Sequence, residues 1–298
     1  MKISVRSCEP TELSFIIESL DREFILNKNR KLSLRCRFPN VISQQNIHQI
    51  QVAVLDRFIC GAVAIRLFDY YTPKRVWRGA MIGMVWVDPQ YRGMGVNKEL
   101  MSTVRAYLHE NRRDFGVLWT GNPAVYEKHG WFISDKSLYA EINGTFESYK
   151  TGKVICSSLD LIEAMRLEKT RTLIEPLRVE RGLLDYQVKP MPATDVDCFL
   201  ASSDERDGYA LVGKLDKCGF FYEIVAPPIL WDMIWGAITM YYEKLIINGR
   251  EGDPFSKWLS DKKQVMWQRQ QKTMWLRISP RANDLPHETW HIPYFDRI

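Results

Sequence analysis

No apolar run in this sequence approaches the roughly 20 residues that a membrane-spanning helix needs, and stretches such as Ala80 to Val87 fit a buried strand instead. The first residues, Met1-Lys2-Ile3-Ser4-Val5-Arg6, are charged within a strand-like run and no long apolar segment follows them. Neither a signal peptide nor an anchor is expected, which predicts a cytoplasmic protein with no membrane partner. The six cysteines (Cys8, Cys36, Cys60, Cys156, Cys198, Cys218) include no Cys-x-x-Cys pair, so reduced, mostly buried thiols are expected and no metal site. Charge of one sign is also lacking. The formal net charge is +5 over 298 residues, and the basic residues are scattered apart from Lys28-Asn29-Arg30-Lys31 and Arg112-Arg113. That distribution indicates a solvated surface and no nucleic-acid stripe. What is plentiful is apolar material: 46% hydrophobic and 12% aromatic residues, enough for buried cores in about two domains of ~150 residues.

The stretch from Ala80 to Phe132 organises the rest. The apolar run Ala80 to Val87 ends at the turn pair Asp88-Pro89 and reads as a strand. Gln90-Tyr91-Arg92-Gly93-Met94-Gly95 follows and leads into a helix in which Val96, Leu100, Val104 and Leu108 recur every fourth residue, the pattern of a helix lying on a sheet. A second strand, Gly116 to Trp119, comes next, then Asn122 to Phe132. In such a βαβ unit, glycines in the first turn let a ligand approach the backbone, and free amides at the helix start favour an anion by roughly 0.3–1 kcal/mol. A phosphate group is the ligand this turn suits.

Around this unit, Ile3 to Arg6 alternates as a strand, and Thr11 is placed to cap a helix from Leu13 to Leu20. Residues 21–46 read as a helix and a mobile segment. Gln49 to Val54 and Ile59 to Phe68 form a hairpin at Asp56-Arg57, and Leu138 to Ile142 is expected to close the first sheet. Residues 150–185 read as a helical connector. Val5-Arg6 and Thr11-Glu12-Leu13 are echoed by Val188-Lys189 and Thr194-Asp195-Val196 at the same offset, which suggests that the strand-to-helix unit starts again there. Gly208 to Val212 and Phe220 to Val225 form a second hairpin, followed by a helix from Pro228 to about Ile246 and strands at Gln264 to Trp267 and Thr273 to Ile278. In place of a glycine turn this half has Ala226-Pro227-Pro228, and proline offers no amide hydrogen to a phosphate.

Gln-x-x-Gly-x-Gly between a strand and a helix, with Tyr126-x-x-x-Gly130-Trp131 after the next strand, resembles the GNAT superfamily of acyl-CoA-dependent N-acyltransferases. A dinucleotide fold wants a third glycine and an acidic residue about 20 positions on. Val117-Leu118-Trp119-Thr120, Pro123 and Tyr126, with a second half lacking the glycine turn, are similar to the tandem-GNAT family typified by the enhanced intracellular survival acetyltransferases, without that family's C-terminal sterol-carrier-like domain. The resemblance implies a mixed α/β sheet with flanking helices in tandem GNAT-like domains, the second degenerate. Segment 1–149 is expected to be the acetyltransferase domain, 150–185 the connector, and 186–298 the second GNAT-like domain lacking the pyrophosphate loop.

The same resemblance implies acetyl-CoA as co-substrate. Val85, Trp86 and Val87 would face its pantetheine arm, Arg92, Gly93, Met94, Gly95, Val96 and Asn97 its pyrophosphate, and Asn122 would bond the pantetheine or cap the next helix. Tyr126 matches the family tyrosine that protonates the departing thiolate. A phenol of intrinsic pKa ~10 carries its proton at neutral pH and can serve there. Many GNAT enzymes place a glutamate on the strand where this chain has Gly83 and Met84, and no carboxylate lies between Arg78 and Asp88. The tandem family uses a terminal carboxylate, so water, Glu23, Asp69 and the carboxylate of Ile298 all stay open as base. His129 is expected at the surface of a helix end. The implied function is acetyl transfer to a primary amine, on a small molecule or a peptide, by direct attack on the thioester. A non-catalytic acyl-CoA-sensing or scaffold protein is the alternative, and a homo-oligomer is compatible with either.

Overall fold

The computed structural model describes residues 2–143, 154–203, 206–263, 265–285 and 292–298. Its chain divides into two units, one made of Met1–Asp135, Lys272–Glu288 and Ile298, the other of Lys136–Gln271 and Thr289–Arg297.

In the first unit, β1 (Ser4–Ser7) leads through a 3-10 turn into α1 (Leu13–Phe24). The cap here is Glu12, not Thr11. Its carboxylate accepts the Glu9 amide at 2.9 Å and a pair of hydrogen bonds from Arg6 at 2.8 and 2.6 Å. The helix buries Leu13, Ile16 and Leu20, the face that its 3.6-residue period puts on one side. The segment after it holds a 3-10 turn (Leu26–Lys28) and the short α2 (Leu34–Arg37), capped by Ser33. Then β2 (Ile50–Leu55) and β3 (Phe58–Tyr71) form the expected hairpin. Asp56 and Arg57 both have positive φ, 48° and 72°, as a two-residue turn matching the strand twist requires. β4 (Val76–Val87) runs antiparallel to β3, and α3 (Val96–Glu110) crosses over to β5 (Phe115–Trp119), which is parallel to β4. α3 buries Val96, Leu100, Val104 and Leu108, the set read from the sequence. It lies so close to β3 that a Cβ on Gly61 would meet Val96 at 2.8 Å. α4 (Ala124–Glu127) and β6 (Phe132–Ile133) follow.

The second unit contains β7 (Ser137–Asn143), β8 (Val154–Ser158), α5 (Leu161–Ile174), the short β9 (Arg178–Val179), β10 (Asp195–Ser202), β11 (Asp207–Leu215), β12 (Cys218–Val225), α6 (Trp231–Tyr241), β13 (Lys244–Arg250), α7 (Pro254–Lys263) and β14 (Gln268–Arg269). Its sheet runs β14-β7-β13-β12-β11-β10-β8, with β12 and β13 parallel. β8-α5-β10-β11-β12-α6-β13-α7 therefore repeats the order β1-α1-β2-β3-β4-α3-β5-α4 of the first unit.

Several expectations are corrected here. The repeat begins at β8, inside the segment read as a helical connector, and not at Val188. Residues 188–194 hold Pro190 and Pro192, which lack the amide hydrogens of a strand, and form none. The expected 149/150 boundary lies outside the described residues. β7 does not close the first sheet: it pairs with β13 over seven positions, from Ser137↔Arg250 to Asn143↔Lys244. The helix from Pro228 ends at Tyr241, because Leu245 and Ile247 are buried at strand alternation. Of the strand expected at Gln264 to Trp267, Gln264 lies outside the described residues, 265–267 are irregular, and pairing starts at Gln268.

One strand remains. β15 (Thr273–Arg277) pairs antiparallel with β5 on one side and β6 on the other, so the first sheet reads β1-β2-β3-β4-β5-β15-β6. Residues from near the end of the sequence thus complete the first unit.

Candidate active site

β4 and β5 are paired only at Gly79↔Phe115, Ala80↔Gly116 and Met81↔Val117. β4 then continues to Val87 and β5 to Trp119, so the two parallel strands part beyond Met81. Within the parted segment Met84 has a φ of +53°, and the register with β3 shifts between Ala62 and Ala64. A left-handed residue without glycine's freedom costs roughly 1–2 kcal/mol, and a bulge re-aims the residues after it. Those residues are Val85, Trp86 and Val87, the three expected at the pantetheine. Trp86 is buried and meets Phe15 of α1 edge to face at 6.5 Å.

From Val87 the chain enters a tightly held loop. The Asp88 carboxylate accepts the Gln90 amide at 2.9 Å. Arg92 folds back, its Nε donating to the Val87 carbonyl at 3.1 Å and its guanidinium pairing with Glu23 of α1 at 3.1 Å. The Arg92 side chain thus braces the loop. Gly93 and Gly95 take φ of +83° and +85°, where only glycine is at ease, and a Cβ on either would have nothing within 4 Å. Gly95 is the N-cap of α3 and supplies no side-chain cap, so the first amides of a 15-residue helix open onto free space. Val96 is packed beneath the helix and offers its backbone alone. Asn97 adds a side chain: its Nδ2 is buried and has no hydrogen-bond partner.

Beyond β5, the Asn122 amide donates to Thr120 Oγ1 at 3.0 Å and its carbonyl accepts from Val125 at 3.3 Å, which turns the chain into α4. Asn122 itself is exposed. Tyr126 lies half-buried in α4 against the first unit's core, with its ring edge to face with Trp131 at 6.5 Å. Burial raises its pKa above the usual phenol value, which favours the protonated form further. His129 is half-buried, not on the surface. Its Nε2 has no partner, and burial, followed by the charges of Lys128 and Lys98, lowers its pKa and keeps the ring neutral.

The strand position without a carboxylate is filled from elsewhere. A Cβ on Gly83 would stand 2.8 Å from the carbonyl carbon and 2.8 Å from the carbonyl oxygen of Ile298. The other two carboxylates considered are engaged, Glu23 with Arg92 and Asp69 with Arg113 at 3.6 Å. Sequence reasoning did not find the bulge at Met84, since methionine carries no turn signal. A glycine inside an apolar strand, however, is a sign of close backbone approach. Among the described residues no group of three or more His, Cys, Asp or Glu is arranged to hold a metal ion, and no helix is long and apolar enough to cross a membrane.

Parted parallel strands stand beside a glycine loop at a helix start, and residues 4–134, which contain them, match the family described as acetyltransferase (GNAT) domain. The first unit therefore carries a GNAT domain, and the solved structures that the chain resembles include tandem GNAT proteins. A GCN5-related N-acetyltransferase from Kribbella flavida is 15% identical at a TM-score of 0.68, over 92% of this chain and 70% of that one. Eis1 from Mycobacterium abscessus is 12% identical at a TM-score of 0.68, over 94% and 75% of the two chains. A tandem GNAT protein from the clavulanic acid biosynthesis pathway is 10% identical at a TM-score of 0.57, over 94% and 99%. No curated protein matches the chain in sequence.

Proposed function

We propose that the first unit is an acetyl-CoA-dependent N-acetyltransferase acting on a primary amine. The observation that carries this reading is the parting of β4 and β5 beyond Met81 directly before the open amides at Gly93 to Asn97. Acetyl-CoA would lay its pantetheine along Val85, Trp86 and Val87, and its pyrophosphate over Arg92, Gly93, Met94, Gly95, Val96 and Asn97, held by backbone amides and Asn97 Nδ2. Asn122 would border the pantetheine arm.

The reaction follows from these placements. A neutral amine attacks the thioester carbonyl, forming the C–N bond, while a β4 amide near Trp86 stabilises the oxyanion. The C–S bond then breaks, and Tyr126 gives its proton to the departing thiolate. The attacking nitrogen loses its own proton to water, and the main chain of Ile298 borders that place, standing at Gly83 where a strand side chain would otherwise reach. The second unit, with prolines at its equivalent loop, is the non-acetylating GNAT-like domain.

Release of free thiol from acetyl-CoA, followed against a panel of primary amines, tests the reading. Amine-dependent thiol release supports it. Saturable acetyl-CoA binding with no amine-dependent release would instead favour an acyl-CoA sensor.

A further inference from the structure

The second unit has its own counterpart of the cofactor loop. Between β12 and α6 the chain passes through Ala226-Pro227-Pro228, the place in the element order that Asp88 to Gly95 holds in the first unit. Pro227 and Pro228 have no amide hydrogen, so this loop cannot cradle a phosphate as a glycine turn does. A cavity of about 950 Å³ nevertheless lies here, bounded by α5, by Ser203 and Arg206 next to β10 and β11, and by the two prolines.

The lining is two-sided. Arg166 and Lys169 from α5 and Arg206 just before β11 give it three cations, against one carboxylate, Asp207. Asp207 pairs with Arg166 at 3.6 Å, and among the described residues neither Lys169 nor Arg206 makes an ion pair. Guanidinium groups present forked donors suited to carboxylate or phosphate. Apolar surface adjoins them: Leu173, 79% exposed, stands on the same helix, and Pro227 and Pro228 also line the cavity. α5 is apolar on both sides, burying Ala164 and Leu167 while leaving Ile162, Met165 and Leu173 in the open. Covering such surface is favourable by about 25 cal/mol per Å², and the volume is that of a pocket for a ligand of drug size.

We propose that this cavity binds a small anionic amphiphile, its carboxylate or phosphate head held by Arg166, Lys169 and Arg206 and its apolar tail laid over Leu173, Pro227 and Pro228. The unit would then have exchanged backbone recognition of a nucleotide cofactor for side-chain recognition of a different anion. This site stands on the second unit's own geometry, whether or not the first unit transfers acetyl groups.

Calorimetry on the full chain, with decanoate, decyl phosphate, decanol and decyltrimethylammonium as probes, tests the assignment. At least one of the two anions should bind saturably at one per chain, and which one does identifies the head group. The alcohol and the cation should bind at least about fivefold more weakly. The exposed double variant Arg166→Gln/Arg206→Gln, checked for native circular dichroism, should weaken the anion at least about fivefold, and Lys169→Gln alone provides a second reading if the double variant does not fold. Saturating acetyl-CoA should leave anion binding in place. No saturable anion binding, a loss smaller than fivefold in the variants, or displacement of the anion by acetyl-CoA would overturn the proposal. So would self-association abolished by the same substitutions, since a second copy of the chain would then be the occupant.

Discussion

Gly83 on β4 and Ile298 are in contact that leaves no room for a side chain, with the Ile298 carbonyl carbon 2.8 Å from where a Cβ would stand. Alanine at position 83 keeps the strand but must push Ile298 away. Gly83→Ala is expected to lower turnover by about 10²-fold, the range for a small misplacement beside a reacting centre, while acetyl-CoA affinity stays within about threefold. Steady-state kinetics beside calorimetry separate the two effects. Unchanged turnover with Ile298 displaced would remove it from the chemistry.

Tyr126→Phe keeps the ring that packs on Trp131 and deletes the hydroxyl. The thiolate gains charge only as the thioester breaks, so the lost hydrogen bond matters in the transition state and little in the ground state. A fall in kcat of ~10²–10⁴-fold is expected with acetyl-CoA binding preserved. Because burial raises the Tyr126 pKa, the hydroxyl stays protonated through neutral pH, and the decline of kcat with alkali is expected above pH ~10. A turnover within about threefold of the parent, at normal thermal stability, would falsify the acid role.

Two substitutions at Gly95 separate backbone strain from ligand exclusion. Its φ of +85° penalises any side chain by roughly 1–2 kcal/mol, so Gly95→Ala should cost stability but leave acetyl-CoA binding measurable. Gly95→Glu adds a carboxylate in the open space over the helix start and is expected to abolish binding. If both variants bind acetyl-CoA equally well in calorimetry, the phosphate site lies elsewhere.

Arg181 is enclosed in the second unit between two carboxylates, donating to Glu223 at 2.7 and 2.6 Å and to Asp296 at 2.7 and 2.8 Å, under the rings of Tyr186 and Phe295. Its removal leaves two buried negative charges without their cation. Arg181→Met is expected to destabilise the protein by about 3–5 kcal/mol, read from chemical denaturation. A change below about 1 kcal/mol would show that water reaches the cluster.

Arg6 and Glu12 set an acid-sensitive element at the start of α1. The Arg6 hydrogen bonds, ahead of the opposing cost of burial, lower the Glu12 pKa. A depressed folded pKa contributes stability that is present above the unfolded value of ~4.3 and is lost as pH falls through the folded one. Parent and Glu12→Gln should therefore differ in Tm at pH 7 and converge in acid below that folded pKa. A Tm difference that stays constant across this window would count against the linkage.

The first unit was largely legible because its signals are local. Period-four apolar residues gave α3, alternation gave β2 and β3, and two glycines before an amphipathic run gave the loop that opens α3. The features that escaped are those set by partners distant in sequence. β7 looks like any strand following β6, and only its ladder to β13 places it in the other sheet. Gly83 reads as a weak point in an apolar run until Ile298 is seen against it. The sequence echo falls at Val188, whereas the strand that starts the repeat, β8, stands in a region whose charge and helix propensity conceal it.

The placement of β15 governs how this protein can be made. While the chain emerges from the ribosome, β5 has β4 along only three residue pairs and its other edge is bare, because Thr273 to Arg277 have not yet been synthesised. An unpaired apolar edge invites pairing with other chains. The first unit must therefore wait, unfinished, through translation of almost the whole second unit. Expressing residues 1–135 alone would yield an open sheet prone to aggregation, and supplying 272–285 as a tethered segment should restore it.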